Sequence, residues 1–251
     1  MEQRQFRRSK HEVQNDTEGK FRMRLDRLLS NAHAGTRSQV KKLVKEGRVS
    51  VNGVTASTSS MQVDENSDEI LLDGAPVVYE KYGYIMLNKP AGYISATEGR
   101  VPTVMDLIRE DYRGLFPCGR LDKDTEGLLL ITNDGPLAHR LLSPKHHVEK
   151  EYYVEHTHAF SPEDVQKIET GISYDGKDYQ PAGYQEITDT SCYLTLKEGK
   201  YHEIKLMIRS LDDRVTYLKR VRMKNLRLDE RLRPGEYRFL TDEEISDLKG
   251  D

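Results

Sequence analysis

"GRLDKDTEGLLLITNDG", residues 119–135, is the stretch on which the reading of this chain turns. It sets Arg120, Asp122, Lys123, Asp124 and Glu126 directly before Leu128-Leu129-Leu130-Ile131. A short unbroken apolar run between turn residues predicts a strand buried on both faces. Carboxylates at the mouth of such a strand are costly to desolvate unless cations stand beside them. A neighbouring guanidinium or ammonium favours the charged form of an aspartate. A charged, partly desolvated carboxylate can act as nucleophile, general base or stabiliser of positive charge. An ion pair that merely holds a turn leaves the same pattern. On spacing alone, both readings of Asp122 stand.

Other chemistries fit less well. Asp-Thr-Glu-Gly at 124–127 is close to the Asp-Thr-Gly loop of aspartic proteases, but those need two such loops to share a proton, and here there is one. A divalent cation on Asp122 and Asp124 would need further oxygen ligands, and Arg120 and Lys123 oppose it. His146, His147, His156 and His158 have no cysteine or acid at a spacing that suits zinc. No Gly-rich phosphate loop of standard spacing occurs. The expectation is therefore no metal. Two cysteines, Cys118 and Cys192, exclude a disulfide scaffold and point to a reducing cytoplasm. Cys118, in Leu-Phe-Pro-Cys-Gly, reads as a small buried hydrophobe.

Charge is unevenly placed along the 251 residues, although the net is only −3. Residues 20–48 carry nine Lys and Arg against two acids. Residues 49–80 carry six acids and no Lys or Arg. Residues 200–238 carry twelve Lys and Arg against six acids. Two basic segments far apart in the chain suggest two surfaces for one polyanion. No apolar run approaches the roughly 20 residues of a membrane span, so no membrane partner is expected.

The pattern of elements predicts an α+β protein in two domains behind a disordered tail at 1–22. In 23–80, "MRLDRLLSNA" and "GTRSQVKKLVKEG" have helical spacing, the second capped by Thr36 or Ser38 and closed at Gly47. Val40, Leu43 and Val44 form its apolar stripe, and Arg37, Lys41, Lys42 and Lys45 fall opposite. "RVSVNG" predicts a strand ending in an Asn-Gly turn, and "DEILLDG" another. In 82–251, strands are expected at "YGYIMLN", "GLLLIT", "EYYVEHTH" and "CYLTLKEG". Helices are expected at "VPTVMDLIREDY", "SPEDVQKIETG" and "TDEEISDL", and "KYHEIKLMIRSL" reads as a strand turning into a helix. Strands and helices mix without regular alternation, which argues against a doubly wound sheet.

The stretch 119–135 resembles the signature of RsuA-type pseudouridine synthases, roughly GRLDxDTxGLLLLTxDG. "YIMLNKPAGYIS", "SPKHHVEKEYYV", "LKEGKYHEIKLM" and "PGEYRFLTDEEI" resemble further family segments in the same order. Residues 23–80 resemble the small S-four RNA-binding module these enzymes carry. The resemblance implies a mixed, mainly antiparallel sheet flanked by helices, and isomerisation of a uridine within ribosomal RNA without cofactor. It implies that Asp122 is the catalytic aspartate, that Tyr152 packs on the target base and that Lys205 pairs with Asp122. Arg120 would grip the flipped nucleotide. Arg24 and the Arg37, Lys41, Lys42, Lys45 face would hold phosphates. Arg214, Lys219, Arg220, Arg222 and Lys224 would line the cleft.

The chain departs from the family pattern at Glu203, usually Gln, at Leu206, and at Asp212-Asp213 and Lys224-Asn225, all expected on the RNA-facing side. The expected partner is ribosomal RNA or a pre-ribosomal particle, small-subunit RNA ahead of large-subunit RNA, and the protein is expected to act as a monomer. The rival from another class is a non-catalytic RNA-binding factor, which differs at Asp122.

Overall fold

The computed structural model describes residues 22–32, 34–65, 67–77, 82–109 and 114–250. The chain divides into two compact units, Met1–Lys81 and Tyr82–Asp251. The expected disordered tail lies outside the described residues except for Arg22, which opens a strand.

The first unit runs β1 (Arg22–Arg24), α1 (Leu25–Asn31), α2 (Arg37–Lys45), β2 (Val49–Val51), β3 (Val54–Thr55), β4 (Gln62–Asp64), β5 (Ile70–Leu72) and β6 (Ala75–Pro76). Thr36 caps α2 in a reciprocal box with Gln39, as a hydroxyl three residues before an amide can. Asn52 and Gly53, both at positive φ, turn β2 into β3. Leu25, Leu28, Leu29, Val40 and Val44 pack with Val49, Val63 and Ile70 into the core. Arg37, Lys41, Lys42 and Lys45 are left exposed on the other side of α2.

The second unit runs β7 (Tyr84–Lys89), β8 (Phe116–Cys118), β9 (Glu126–Thr132), α3 (Gly135–Leu142), β10 (Lys150–His156), α4 (Pro162–Thr170), β11 (Ile172–Tyr174), β12 (Lys177–Tyr179), β13 (Gly183–Thr188), β14 (Ser191–Leu196), α5 (Glu203–Arg209), β15 (Val215–Met223), β16 (Leu226–Arg227), β17 (Tyr237–Phe239) and α6 (Asp242–Lys249). A nine-stranded sheet has the order β13-β14-β10-β15-β9-β7-β17, with β16 on β15 and β8 on β9. Every pairing in it is antiparallel except β9 with β15. The fold is thus α+β, as the element pattern predicts, with the mixed, mainly antiparallel sheet that the resemblance implies.

β9 is buried on both faces. Leu128 and Leu130 pack with α3 and α6 residues Leu137, Leu141 and Leu248. Leu129 and Ile131 point into a second cluster with Ile85, Leu87 and Val104. A third cluster joins Val154, Cys192 and Leu194 to Ile168 of α4 and Ile204, Met207 and Ile208 of α5. Both cysteines are buried, and desolvation raises their thiols, Cys118 to about 11 and Cys192 to about 12.

One edge of β9 is shared. β15 pairs at Glu126 and Gly127, and β8 pairs at Leu130–Thr132. Arg220 fills the gap between them, its Nε donating to the Leu128 carbonyl at 2.8 Å. Gly127, at φ +98°, lets the parallel strand approach; a Cβ there would lie 2.2 Å from the Arg220 carbonyl oxygen.

Three predicted elements differ. "VPTVMDLIREDY" yields only a 3-10 turn at Val104–Leu107 among its described residues, because Thr103 bridges to Ile94 in extended form and Ile108 leaves the helix extended. Residues 200–202 form a turn rather than a strand, with His202 left-handed. Helix α3 is additional to the predicted set; Asp134 caps it and Pro136 sits in its first turn.

Candidate active site

Asp122 stands in the 119–125 loop between β8 and β9. The loop is tied inward by Lys89, which is fully buried. Lys89 Nζ donates to the Thr125 carbonyl at 2.7 Å, to Pro90 at 3.0 Å and to Lys123 at 3.4 Å. Desolvation pulls this ammonium down to about 8, partly countered by Asp124, Glu126 and Asp122. Thr125 N–H closes the turn on the Asp122 carbonyl. Ser95 completes the frame, its hydroxyl bonding both the carbonyl and the N–H of Leu121.

The loop thus presents the Asp122 carboxylate to a pocket whose walls include Arg120, Tyr152, Leu218, residues 198–200 and residues 202–205. Lys205 Nζ lies 2.9 Å from Asp122 Oδ2 and 2.6 Å from Asp124 Oδ1. Desolvation lowers the Lys205 ammonium, but its bonds to Asp124 and Asp122 outweigh that and raise it above the usual lysine value. Burial opposes the charge on Asp124 too, and the Lys205 hydrogen bond and charge again prevail, holding that carboxyl below its usual range. His202 Nε2 approaches Asp122 Oδ1 at 3.4 Å. His202 has φ +52° and ψ +30°, a left-handed conformation that is uncommon for a non-glycine residue. Its ring stacks on Tyr201 at 3.7 Å. Tyr152, on β10, packs between two core clusters and offers an aromatic wall to the pocket.

So Asp122, Tyr152, Lys205 and Arg120 converge on one pocket. His202 and Glu203 join them without having been singled out as site residues. The signal for His202 was its place three residues before Lys205, one helical turn away on the same face.

The second basic segment behaves differently from expectation. Arg220, expected to touch RNA, is 2 % exposed and spends its guanidinium on the β9 edge. Arg222 pairs with Glu149 and Glu151, and Lys224 Nζ donates to the Asp247 and Leu248 carbonyls at the end of α6. Lys219 faces away with Tyr153, Tyr193 and Tyr217. Arg214 is exposed but is absent from the pocket wall. Within β15, alternation sends Lys219 to the face opposite Arg220, while Arg214 and Lys224 lie outside the strand. In the first unit, Arg24 is drawn into a forked pair with buried Asp26, at 3.1 and 2.6 Å.

Two of the departures are largely buried, Glu203 within the wall of the Asp122 pocket and Asp213 away from it. Glu203 is 6 % exposed. Asp213 is 8 % exposed and accepts from Thr157, from the His158 and Arg214 N–H groups, and meets His156 Nδ1 at 3.0 Å. Among the described residues, no three His, Cys, Asp or Glu side chains are placed to hold a metal ion, and no helix is long and apolar enough to cross a membrane.

Comparison with known proteins places this arrangement. Residues 83–210 match the family RNA pseudouridylate synthase, and residues 23–70 match the S4 domain. The chain is 47 % identical over 231 residues to an uncharacterized RNA pseudouridine synthase, YtzG, of Bacillus subtilis, covering 89 % of this chain and 97 % of that one. It is 38 % identical over 230 residues to ribosomal small subunit pseudouridine synthase A of Vibrio cholerae, covering 90 % and 99 %. A crystal structure of a pseudouridylate synthase superposes with a TM-score of 0.65 at 36 % identity, covering 90 % of this chain and 99 % of the other.

Proposed function

Because this chain belongs to the RNA pseudouridylate synthase family and is a pseudouridine synthase with an S4 domain, we propose that its substrate is one specific uridine of small-subunit ribosomal RNA and that Asp122 is the reacting carboxylate. The isomerisation breaks the bond from sugar C1′ to uracil N1, turns the base and joins C1′ to C5. The proton on C5 leaves and N1 gains one, so atoms and electrons balance within the nucleotide and water.

Asp122 acts either by attacking C1′ or by taking a proton as the glycosidic bond opens. Either role needs a carboxylate facing the sugar while the base rotates. The observation that carries the assignment is the meeting of Asp122, Lys205 and Tyr152 at one pocket. Lys205 offsets the carboxylate's charge and fixes its direction. Tyr152 gives the flipped uracil a flat surface in exchange for the stack it leaves, a loss of a few kcal/mol. Arg120, exposed at the rim, is poised for the neighbouring backbone.

The 23–80 domain grips RNA by phosphate contacts from Arg37, Lys41, Lys42 and Lys45, and the 82–251 domain does the chemistry. The relatives named as small-subunit enzymes, aligned over about nine tenths of the chain, support the choice of RNA.

Pseudouridine mapping of ribosomal RNA from cells with and without this protein tests the proposal. One small-subunit position should lose its modification and regain it on incubation with wild-type protein. Loss at a large-subunit position instead would move the substrate, and no loss at all would favour the non-catalytic RNA-binding reading.

A further inference from the structure

Glu203 opens α5 in the wall of the Asp122 pocket, and its two carboxyl oxygens are unequal. Oε2 accepts the Lys200 backbone N–H at 2.8 Å. Oε1 is buried and meets no hydrogen-bond donor. The group within hydrogen-bonding reach is another acid, Glu198. Glu198 is itself spoken for: Oε1 accepts the Gln180 N–H at 2.8 Å and Oε2 pairs with Lys200 Nζ at 2.7 Å. An ionised carboxylate only accepts. Two ionised carboxylates here would leave a buried acceptor unpaired against a like charge. A proton on Glu203 removes both penalties, because its hydroxyl can donate to Glu198.

We propose that Glu203 is a positioning residue that carries a proton at neutral pH and donates it to Glu198, latching the 198–202 loop that sets His202 against Asp122. The acid then does what an amide would do at this position, where the RsuA-type pattern has Gln. Its hydrogen bond and the Lys200 N–H bond together clamp both ends of a loop that must hold His202 in a left-handed conformation.

The surrounding charges agree. Glu198 and Lys200 face Glu203 from the loop, Tyr179 from β12 and Lys150 from β10. Asp122, His202 and Lys205 line the same pocket. Tyr179 offers no relief, its hydroxyl being buried without a partner. Burial, then Glu198, push the Glu203 carboxyl up to about 8 against the pull of Lys200. As pH rises through that value the proton leaves, the latch becomes two repelling carboxylates, and the loop is released.

The latch stands on its own geometry; only its effect on catalysis rests on the reading of Asp122. Two measurements on the full chain test it without substrate. Carbon-13 NMR of the side-chain carboxyls should find Glu203 titrating near pH 8, and Glu198→Gln should bring it down toward the ordinary glutamate value of 4.5. The chain has no tryptophan, so Tyr201→Trp places one reporter on the loop, stacked on His202 and open to solvent. Its emission should pass through a transition centred near pH 8 that disappears when Glu203→Gln is added.

A Glu203 carboxyl that titrates between 4 and 5 overturns the latch. So does a titration near 8 with no change at the reporter. A transition that survives Glu203→Gln also overturns it.

Discussion

Lys205 holds two aspartates at once, reaching Asp122 across 83 residues of sequence at 2.9 Å and Asp124 across 81 at 2.6 Å. The two acids are not equivalent. The Asp124 side chain is 74 % exposed, so solvent screens its share of the pair. The Asp122 side chain is 26 % exposed and faces the pocket. The shorter contact therefore belongs to the partner that water can replace, and the longer one to the partner that faces the pocket.

That asymmetry separates two substitutions. Asp122→Asn should fold, bind RNA and lose pseudouridine formation by at least about a thousandfold. Asp124→Asn should lose no more than about tenfold, since Lys205 keeps its other partner. Single-turnover assays on a small-subunit RNA transcript measure both. Equal losses would mean that the reaction does not single out Asp122.

Lys205→Met should lower kcat by roughly 10- to 100-fold with little change in KM, because it removes the cation that fixes the carboxylate rather than a ground-state RNA contact. Lys205→Arg should recover part of the rate. A rise in KM alone would make Lys205 an RNA-binding residue instead.

The exposed face of α2 makes a separate prediction about affinity. Changing Arg37, Lys41 and Lys45 together to alanine should weaken RNA binding and reduce the slope of log affinity against log salt by roughly two to three. Filter binding across a salt series reads both. Val40 and Val44 face the core and are untouched, so the melting temperature should hold.

Asp213 predicts a pH dependence of stability. Desolvation opposes its charge, but bonds from Thr157, Arg214, His158 and His156 outweigh that and hold the carboxyl well below the usual aspartate range. A native carboxyl held low binds its proton less readily than the unfolded one. Its contribution is therefore present above the ordinary aspartate pKa and is lost as pH falls below about 4. Asp213→Asn should cost about 2–4 kcal/mol at pH 7 and flatten the acid limb of the stability curve, measured by urea unfolding at several pH values. An unchanged acid limb would place the acid sensitivity elsewhere.

Gly127→Ala should be among the most damaging small changes. It puts a Cβ 2.2 Å from a backbone oxygen at a residue with φ +98°. Neither the backbone of β15 nor the strained dihedral can yield cheaply, so a loss of more than about 3 kcal/mol is expected by thermal unfolding.

Much of this was legible in residue order. The cap at Thr36, the Asn52-Gly53 turn and the apolar run of β9 are local signals, and local chemistry realised them. The meeting of Asp122, Tyr152 and Lys205 came from resemblance rather than spacing, since nothing in 83 residues of separation encodes a contact. Arg220 and Glu203 were illegible for a different reason. Side-chain type predicts exposure only on average, and both are polar groups whose burial is set by cross-strand register and by a partner distant in sequence. Over the described residues 101–109, where a helix is expected, pairing of Thr103 with Ile94 overrides local periodicity.

The shared edge of β9 has a consequence in time as well as space. β8 and β9 form a hairpin that closes at its far end, and β15 enters the opening beside Glu126 and Gly127. A growing chain that has not yet reached Lys219 has nothing to put there. The loop bearing Asp122 is among the earlier parts of this unit to be synthesised and is tied by Lys89 and Ser95, yet its pocket is closed only by Lys205 and Leu218, which come later in the chain. Contacts of such long sequence separation form late and slowly. The pocket around Asp122 is therefore a product of the whole unit rather than of the stretch that bears it.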